Sequence, residues 1–466
     1  MPVYRSEDHD AWEKELLKEV ERTVKEVWTT AGKPDRVLLA VDGVVPMAKI
    51  RQQRVRRFKS VWLRKVASSP SSPTGGESWD TNAITPGTEF MDSLGLMLGT
   101  MAKKHVGWTV SGVDEVGEGE HKIMKWLRDG VGQGEVVVYG LDADLILLSM
   151  LVGEEKGLSL FLLREKQEFG RMAAPVGAGA AQEYQFMNIR EFQSRLGLSG
   201  YSAVLNYIGY MSLMGNDFLP HSLTHKLSDD GHEFVMNEIR AQKGPLIEDG
   251  RVSLTVLKGV VGSWASGEEH RMLHMIRKKR EQAVRGVGKG MADEEGLPLK
   301  WDAEAALMDG GSPSALKQGW KEEYWRTLSA NYDVDHVCGE YIKGFQWIID
   351  YYTGKAVNSA WMFPAWLPPL WSDLAAFLEV EREVEITGGG ASPATATGAS
   401  PAPQEQLAMV LPLESWGLIR DSRLRRLPGL MPQMWPRKFG FVSLGRKWLW
   451  ECEAKIPVLM VERLRS

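Results

Sequence analysis

The fold class turns on EVVVYGLDAD, residues 135–144. Glu135–Tyr139 is a short apolar, β-branched run, the pattern of a buried strand. It stops at Gly140, and Asp142 and Asp144 follow at once. The arrangement recurs upstream. Val37–Val41 reads as a buried strand and ends on Asp42-Gly43. A strand around Gly107–Val110 leads to the Gly-rich turn Gly117–Glu120, which carries Glu118 and Glu120 and opens a helix from His121 to Arg128. A helix marked by Val204, Ile208 and Met211 runs into Gly215-Asn216-Asp217. Strands alternating with helices predict an α/β fold with a largely parallel central sheet flanked by helices. In such a sheet, functional groups gather beyond the carboxyl ends of the strands.

Outward from these strands, Trp12, Leu16, Val20, Val24, Val27 and Trp28 recur at helical spacing, and Gly32 and Pro34 end that helix. A further helix covers Gly87–Lys104. Residues 1–376 form one expected core, with surface insertions near 66–80 and 281–313. Gly, Ala, Ser, Thr and Pro dominate a linker within 377–403, and 404–466 is expected to pack on the core as a second segment.

The 18 Trp, 13 Phe and 11 Tyr exclude wholesale disorder. Two cysteines exclude a disulfide-stapled secreted fold. No apolar run reaches the roughly 18 residues of a membrane span. The opening MPVYRSEDHD lacks the charged-then-apolar pattern of a signal peptide, so an intracellular setting is expected, cytoplasmic or nuclear. The formal charge of −5 argues, taken alone, against a nucleic-acid partner.

Asp42, Glu118, Glu120, Asp142, Asp144 and Asp217 would share one cleft if these strand and helix ends converge. Six buried anions repel one another unless neutralised. Oxygen donors without paired His or Cys suit Mg²⁺ or Mn²⁺ rather than Zn²⁺. Two such ions roughly 4 Å apart can activate water and stabilise a leaving oxygen in phosphodiester hydrolysis. Each acid also has a plainer reading: Asp42-Gly43 as a turn, Glu118 and Glu120 as helix-start acids, Asp142 and Asp144 as a solvated loop, Asp217 as a helix-end residue.

Lys49–Lys65 holds eight basic residues and no acidic one. On a helical wheel with Lys49 at zero, Gln53 falls at about 40°, Arg56 at about −20° and Arg57 at about 80°. Val55, Phe58 and Trp62 lie on the other side. One face could then pack while Lys49, Gln53, Arg56 and Arg57 meet an anion; Arg offers forked donors to phosphate oxygens. A solvated basic helix is the alternative.

AVDGVVPMAKIRQQRVRRFKS (40–60), NAITPGTEF (82–90), GEGEHKIM (117–124), YGLDADLILL (139–148), LLRE (162–165) and GNDFLPH (215–221) resemble, in order and spacing, the 5′→3′ exoribonuclease (XRN) family. YIKGFQWIIDYYTG (341–354), QLAMVLP (406–412) and MWPRKFGF (434–441) are similar to its later conserved stretches. The resemblance implies a PIN/flap-endonuclease-like core and processive hydrolysis of single-stranded RNA with a 5′-monophosphate to mononucleotides, with Mg²⁺ or Mn²⁺. It implies the six acids above as the metal site and Lys49, Gln53, Arg56 and Arg57 as the 5′-phosphate pocket. Trp361 is the candidate for stacking on a base, with core packing as its other role. Met47 stands where the family has a basic residue, and Arg51 where it has Asn. The family's usual first strand, with an Asp and a stacking His, has no counterpart here. A catalytically impaired RNA-binding protein, or part of a split enzyme, is therefore the alternative to an active exoribonuclease. A DNA flap nuclease would share the metal chemistry, but the basic helix and GNDFLPH follow the exoribonuclease pattern. Setting the six acids aside changes −5 to +1, so the global charge averages a negative site and a positive one.

Overall fold

Helix α1 (His9–Thr30) buries Trp12 and Leu16, and its last turn sets Trp28 edge-on to Trp108 at 5.6 Å. It belongs to a computed structural model that describes residue 4 and residues 6–67, 79–130, 134–140, 142–168, 171–172, 183–285, 296–310, 312–328, 333–380 and 400–465. Gly32, at φ +86°, lets the chain turn out of α1. There follow β1 (Val37–Ala40), α2 (Met47–Ala67), α3 (Glu89–Ala102), β2 (Trp108–Ser111) and α4 (Gly119–Arg128). The Thr88 hydroxyl accepts from Met91 N–H at 3.3 Å and starts α3. Next come β3 (Glu135–Tyr139), α5 (Asp144–Lys156), β4 (Ser159–Glu165), β5 (Tyr184–Asn188), α6 (Ile189–Arg195) and α7 (Tyr201–Met214). The remainder is mainly helical: α8 (His232–Ala241), α9 (Leu254–Ala265), α10 (Glu268–Arg285), α11 (Trp320–Leu328), α12 (Val334–Tyr352), α13 (Trp371–Glu379) and α14 (Pro403–Val410).

The fold is thus mixed α/β, mostly helical, with small sheets. The expected single, largely parallel sheet is corrected. β1 pairs with β2 in parallel, from Val37 opposite Trp108 to Ala40 opposite Ser111. β3 pairs with β4 in parallel, and β5 joins β4 antiparallel. Among the described residues no ladder joins the two sheets. The physical reason is that helices carry the burial: α4 packs on β1 and on α5, while α5 packs on β4. α5 is buried at Leu145, Leu148, Met150, Leu151 and Val152, so it serves as core rather than as a surface cover.

Parts of the expected insertions and linker, 68–78, 286–295, 311 and 381–399, lie outside the described residues. Their flanks differ from expectation because they find apolar or charged partners. Trp79 packs against Trp12 at 5.1 Å and Phe90 at 5.0 Å. Glu304, within the expected 281–313 surface insertion, is buried and takes the Lys279 ammonium at 2.9 Å. Phe377, at the expected start of the linker, is buried in α13. No helix among the described residues is long and apolar enough to cross a membrane.

Two buried clusters organise the packing. The larger draws on α4, α5, α7 and the helices α8–α13. The second joins α2, through Met47, Ile50, Val55 and Phe58, to residues 407–464. Arg54 crosses this second cluster at 2% exposure. Its Nε donates to Pro457 O at 3.0 Å, Nη1 to Met409 O at 2.5 Å and Nη2 to Met434 O. Phe58 lies under the guanidinium at 4.7 Å. Arg54→Ala leaves three carbonyls without donors and opens a cavity. It should lower the unfolding free energy by about 3 kcal/mol or more, read from the urea midpoint. A loss below about 1 kcal/mol would show that water replaces the guanidinium.

Candidate active site

Close backbone approach builds the site before any side chain acts. Gly43 N–H donates to Gly117 O at 2.9 Å, and Gly117 N–H donates to Val44 O at 2.7 Å. A Cβ on Gly43 would lie 1.8 Å from Glu115 O, so only glycine fits there. This lacing holds the end of β1 against the start of α4. Asp42 Oδ1 then accepts from Gly119 N–H at 2.7 Å and satisfies a free donor of α4's first turn.

Glu118, at the N-cap position of α4, is buried. Its Oε2 lies 2.6 Å from Lys49 Nζ, and its Oε1 accepts from the Tyr351 hydroxyl at 2.8 Å. Asp217 Oδ2 lies 2.6 Å from the same ammonium. Glu120 follows one residue into α4, and its carboxyl is pushed up to about 9 by burial and by Glu118, Asp144 and Asp142. Asp144 begins α5; burial, Asp217 and Asp142 push it up to about 6, while the Tyr352 hydroxyl bonds to it. Asp142 is exposed, and its Oδ1 meets Asp144 N–H at 3.4 Å. Burial also raises Glu118 despite Lys49, with Asp42 contributing from nearby. Glu118, Glu120 and Asp144 are thus each raised in part by other acids of the set, and the ends of β1, β3 and α7 meet the start of α4 at one place.

The cation side is less uniform than a helical wheel suggests. Burial alone would lower Lys49, but Glu118 and Asp217 outweigh it and raise its pKa. Lys49 is 7% exposed and faces acids rather than solvent. Gln53 is buried with no partner at Oε1. Arg56 is exposed. Arg57 Nη1 donates to Asn82 Oδ1 at 3.2 Å and Thr85 Oγ1 at 2.6 Å, while its buried Nε has no partner. Arg51 and Arg54 point away from this face, Arg51 donating to the carbonyls of Phe363 and Ala365. A cavity of about 680 Å³ adjoins, with Arg51, Arg56, Asp217, His221, Arg446 and Trp450 in its wall.

Trp361 is half-buried; its Nε1 donates to Glu340 Oε2 at 3.1 Å, and its ring lies 5.3 Å from Trp347. That is its packing role. Tyr351 and Tyr352 were missed as site residues. Adjacent tyrosines closing an apolar helix are the available signal, since a buried Tyr needs a partner for its hydroxyl. Asn82 and Thr85 were likewise missed, although both lie in NAITPGTEF.

Glu118, Glu120 and His121 offer ligand atoms within 4.8 Å of one another. The acids as a set fit a divalent cation. They are hard oxygen donors, they are short of positive charge, and an ammonium already bridges two of them.

Comparison with known proteins bears on the same residues. The family model for the XRN 5′-3′ exonuclease N-terminus matches residues 2–166, which contain Asp42, the α2 cations, Glu118, Glu120, Asp142 and Asp144. The model for the Xrn1 helical domain matches residues 315–466. The chain is 26% identical over 359 residues to 5′-3′ exoribonuclease 2 of Yarrowia lipolytica, covering 64% of this chain and 35% of that protein. It is 33% identical over 223 residues to 5′-3′ exoribonuclease 1 of Saccharomyces cerevisiae, covering 41% and 14%. With human 5′-3′ exoribonuclease 1 it shares 26% over 515 residues, covering 93% and 29%. The chain thus spans about a third or less of the length of these relatives. With both family models matched in order along its length, the chain belongs to the XRN 5′-3′ exonuclease family.

Proposed function

We propose that this chain is a 5′→3′ exoribonuclease that removes mononucleotides from single-stranded RNA bearing a 5′-monophosphate. The observation that carries the reading is the position of Lys49, 2.6 Å from both Glu118 and Asp217 on the helix face that also holds Gln53, Arg56 and Arg57. A terminal phosphate held along that face sets the next phosphate towards the carboxylates. One nucleotide then separates the held end from the reacting bond. Arg56 supplies forked donors to the terminal phosphate, and Arg57 keeps a buried Nε–H donor without a partner. Asp42, Glu118, Glu120, Asp142, Asp144 and Asp217 would hold Mg²⁺ or Mn²⁺, two ions by the count of carboxylates. When bound, such ions supply Lewis-acid stabilisation of charge on phosphoryl oxygens. The Tyr351 and Tyr352 hydroxyls keep Glu118 and Asp144 oriented. Trp361 is the proposed stacking surface for a base, and a PIN/flap-endonuclease-like core is the proposed ancestry of the fold.

The decisive assay compares RNAs with monophosphate, triphosphate and hydroxyl 5′ ends, with and without Mg²⁺. Mononucleotides should appear from the monophosphate RNA in Mg²⁺ only. Asp144→Ala should cut the rate at least about 100-fold while RNA binding, read by anisotropy, persists. Binding without release by the unaltered chain would instead favour the impaired RNA-binding reading.

Charge repulsion gives a second test. Glu120 and Asp144 lie near 9 and 6, above their ordinary 4.5 and 3.8. The folded chain therefore keeps protons that the unfolded chain releases. Their stabilising contribution is complete below about pH 4 and is lost as pH rises through about 6 and 9. In chelator, Tm should fall from pH 6 to pH 9, and Glu120→Gln should flatten that fall. Mg²⁺ should restore Tm more at pH 8.5 than at pH 6. An equal or absent Mg²⁺ effect at pH 8.5 argues against a cation site at these acids.

A further inference from the structure

Lys49 sits between two carboxylates on the helix face that also carries Gln53, Arg56 and Arg57. Its Nζ lies 2.6 Å from Glu118 Oε2 and 2.6 Å from Asp217 Oδ2, with the Phe218 ring 6.0 Å away. It is the third residue of α2, one turn before Gln53 and two before Arg56 on the same face. At 7% exposure it has little access to water, so its partners are the two carboxylates or an anion lying along α2. Its flexible four-carbon stem can reach either.

We propose that Lys49 couples cation loading of the carboxylates to recognition of the 5′-phosphate. Without a divalent cation, Glu118 and Asp217 hold the ammonium. A cation on those carboxylates takes up their lone pairs and repels Lys49, which turns to the α2 face. This rests on the reading that α2 receives a 5′-phosphate and that the acids hold cations. The neighbours make Lys49 the variable member of the set. Arg57 is engaged by Asn82 and Thr85, Arg56 is already exposed, and Gln53 carries no charge. The ammonium also substitutes for the cation electrostatically, because it sits between carboxylates from α4 and from the turn after α7. It offsets the repulsion between those two carboxylates, and it would compete with an ion bound there. Coupling of this kind is reciprocal: the phosphate must tighten the cation by the factor with which the cation tightens the phosphate.

The test uses the full chain, Mn²⁺ read by EPR, and short oligonucleotides with hydrolysis-resistant phosphorothioate linkages, ending in a 5′-phosphate or a 5′-hydroxyl. Saturating Mn²⁺ should tighten the phosphorylated probe about tenfold more than the hydroxyl probe, and the phosphorylated probe should tighten Mn²⁺ by the same factor. Lys49→Met and Lys49→Gln, checked for folding by thermal melting, should bind Mn²⁺ more tightly than the unaltered chain when no probe is present. They should also lose the difference between the probes in response to Mn²⁺. Coupling that is absent in the unaltered chain overturns the proposal. So does coupling of full size in either folded variant, or Mn²⁺ binding in both that is no tighter than before. Failure of the functional reading looks different: neither probe binds the unaltered chain. The comparison of Mn²⁺ affinity with and without Lys49 then still decides whether the ammonium competes with the cation.

Discussion

Helix α2 buries its cations on several sides at once, and the rest of the site depends on where each one goes. Lys49 is held by Glu118 and Asp217, Arg51 by carbonyls of 363 and 365, Arg54 by carbonyls of 409, 434 and 457, and Arg57 by Asn82 and Thr85. A buried cation without such partners would be strongly destabilising. Each pairing therefore fixes α2 against a different part of the chain. Arg54 and the apolar residues Ile50, Val55 and Phe58 hold the C-terminal segment. Arg51, with the Met47 N–H bonded to Ser359 O at 2.8 Å, holds the segment that carries Trp361. Lys49 and Arg57 face the acids and the NAITPGTEF turn. The helix is a junction as well as a candidate phosphate clamp.

This double role explains why the helical wheel was half informative. The spacing of Lys49, Gln53, Arg56 and Arg57 correctly puts them on one side, and Val55 and Phe58 are buried opposite. The wheel is silent on Arg54, which lies among the apolar residues and looks from sequence like one more solvated charge. Its partners are 355 to 403 residues away along the chain. No local pattern reports a pairing at that separation. The same holds for Lys49 and Asp217, 168 residues apart. Local signals gave the strand over 135–139 at its observed bounds and α1 from its apolar spacing, because those elements are defined by periodicity and by adjacent glycines. The division into two small sheets was not legible. Strand pairing is settled by which helices cover which strands, and short runs such as VLLA look the same in either arrangement.

The closeness of the proposed site acids has a different local signal. Each lies within four residues of a glycine, and two of those glycines have a mechanical task visible in the fold. Gly43 has no room for a Cβ beside Glu115 O, and a Cβ on Gly119 would lie 3.3 Å from Ala40 O and 3.4 Å from Asp42 Oδ1. Backbones that approach this closely bring carboxylates from separate elements together. What the pattern did not contain is the means of keeping them oriented. That falls to Tyr351 and Tyr352 at the end of α12, whose apolar setting makes them read as core until their hydroxyls are followed to Glu118 and Asp144.

The net charge of −5 is a poor guide to such a surface because it sums charges that never act together. Arg54 and Lys279 are almost wholly enclosed and project little field to a ligand. Lys49 is cancelled by two carboxylates while it stays between them. The field at this face comes from a few groups, exposed Arg56 among them, and from the acids themselves. On the proposed function, a cation at the acids would change that local field more than any single surface charge, since it would offset the repulsion within the cluster. The physically relevant charge is that of the local site rather than of the whole chain. A negative net charge therefore does not exclude a local positive face, and on the proposed function that face is where the terminal phosphate would be held.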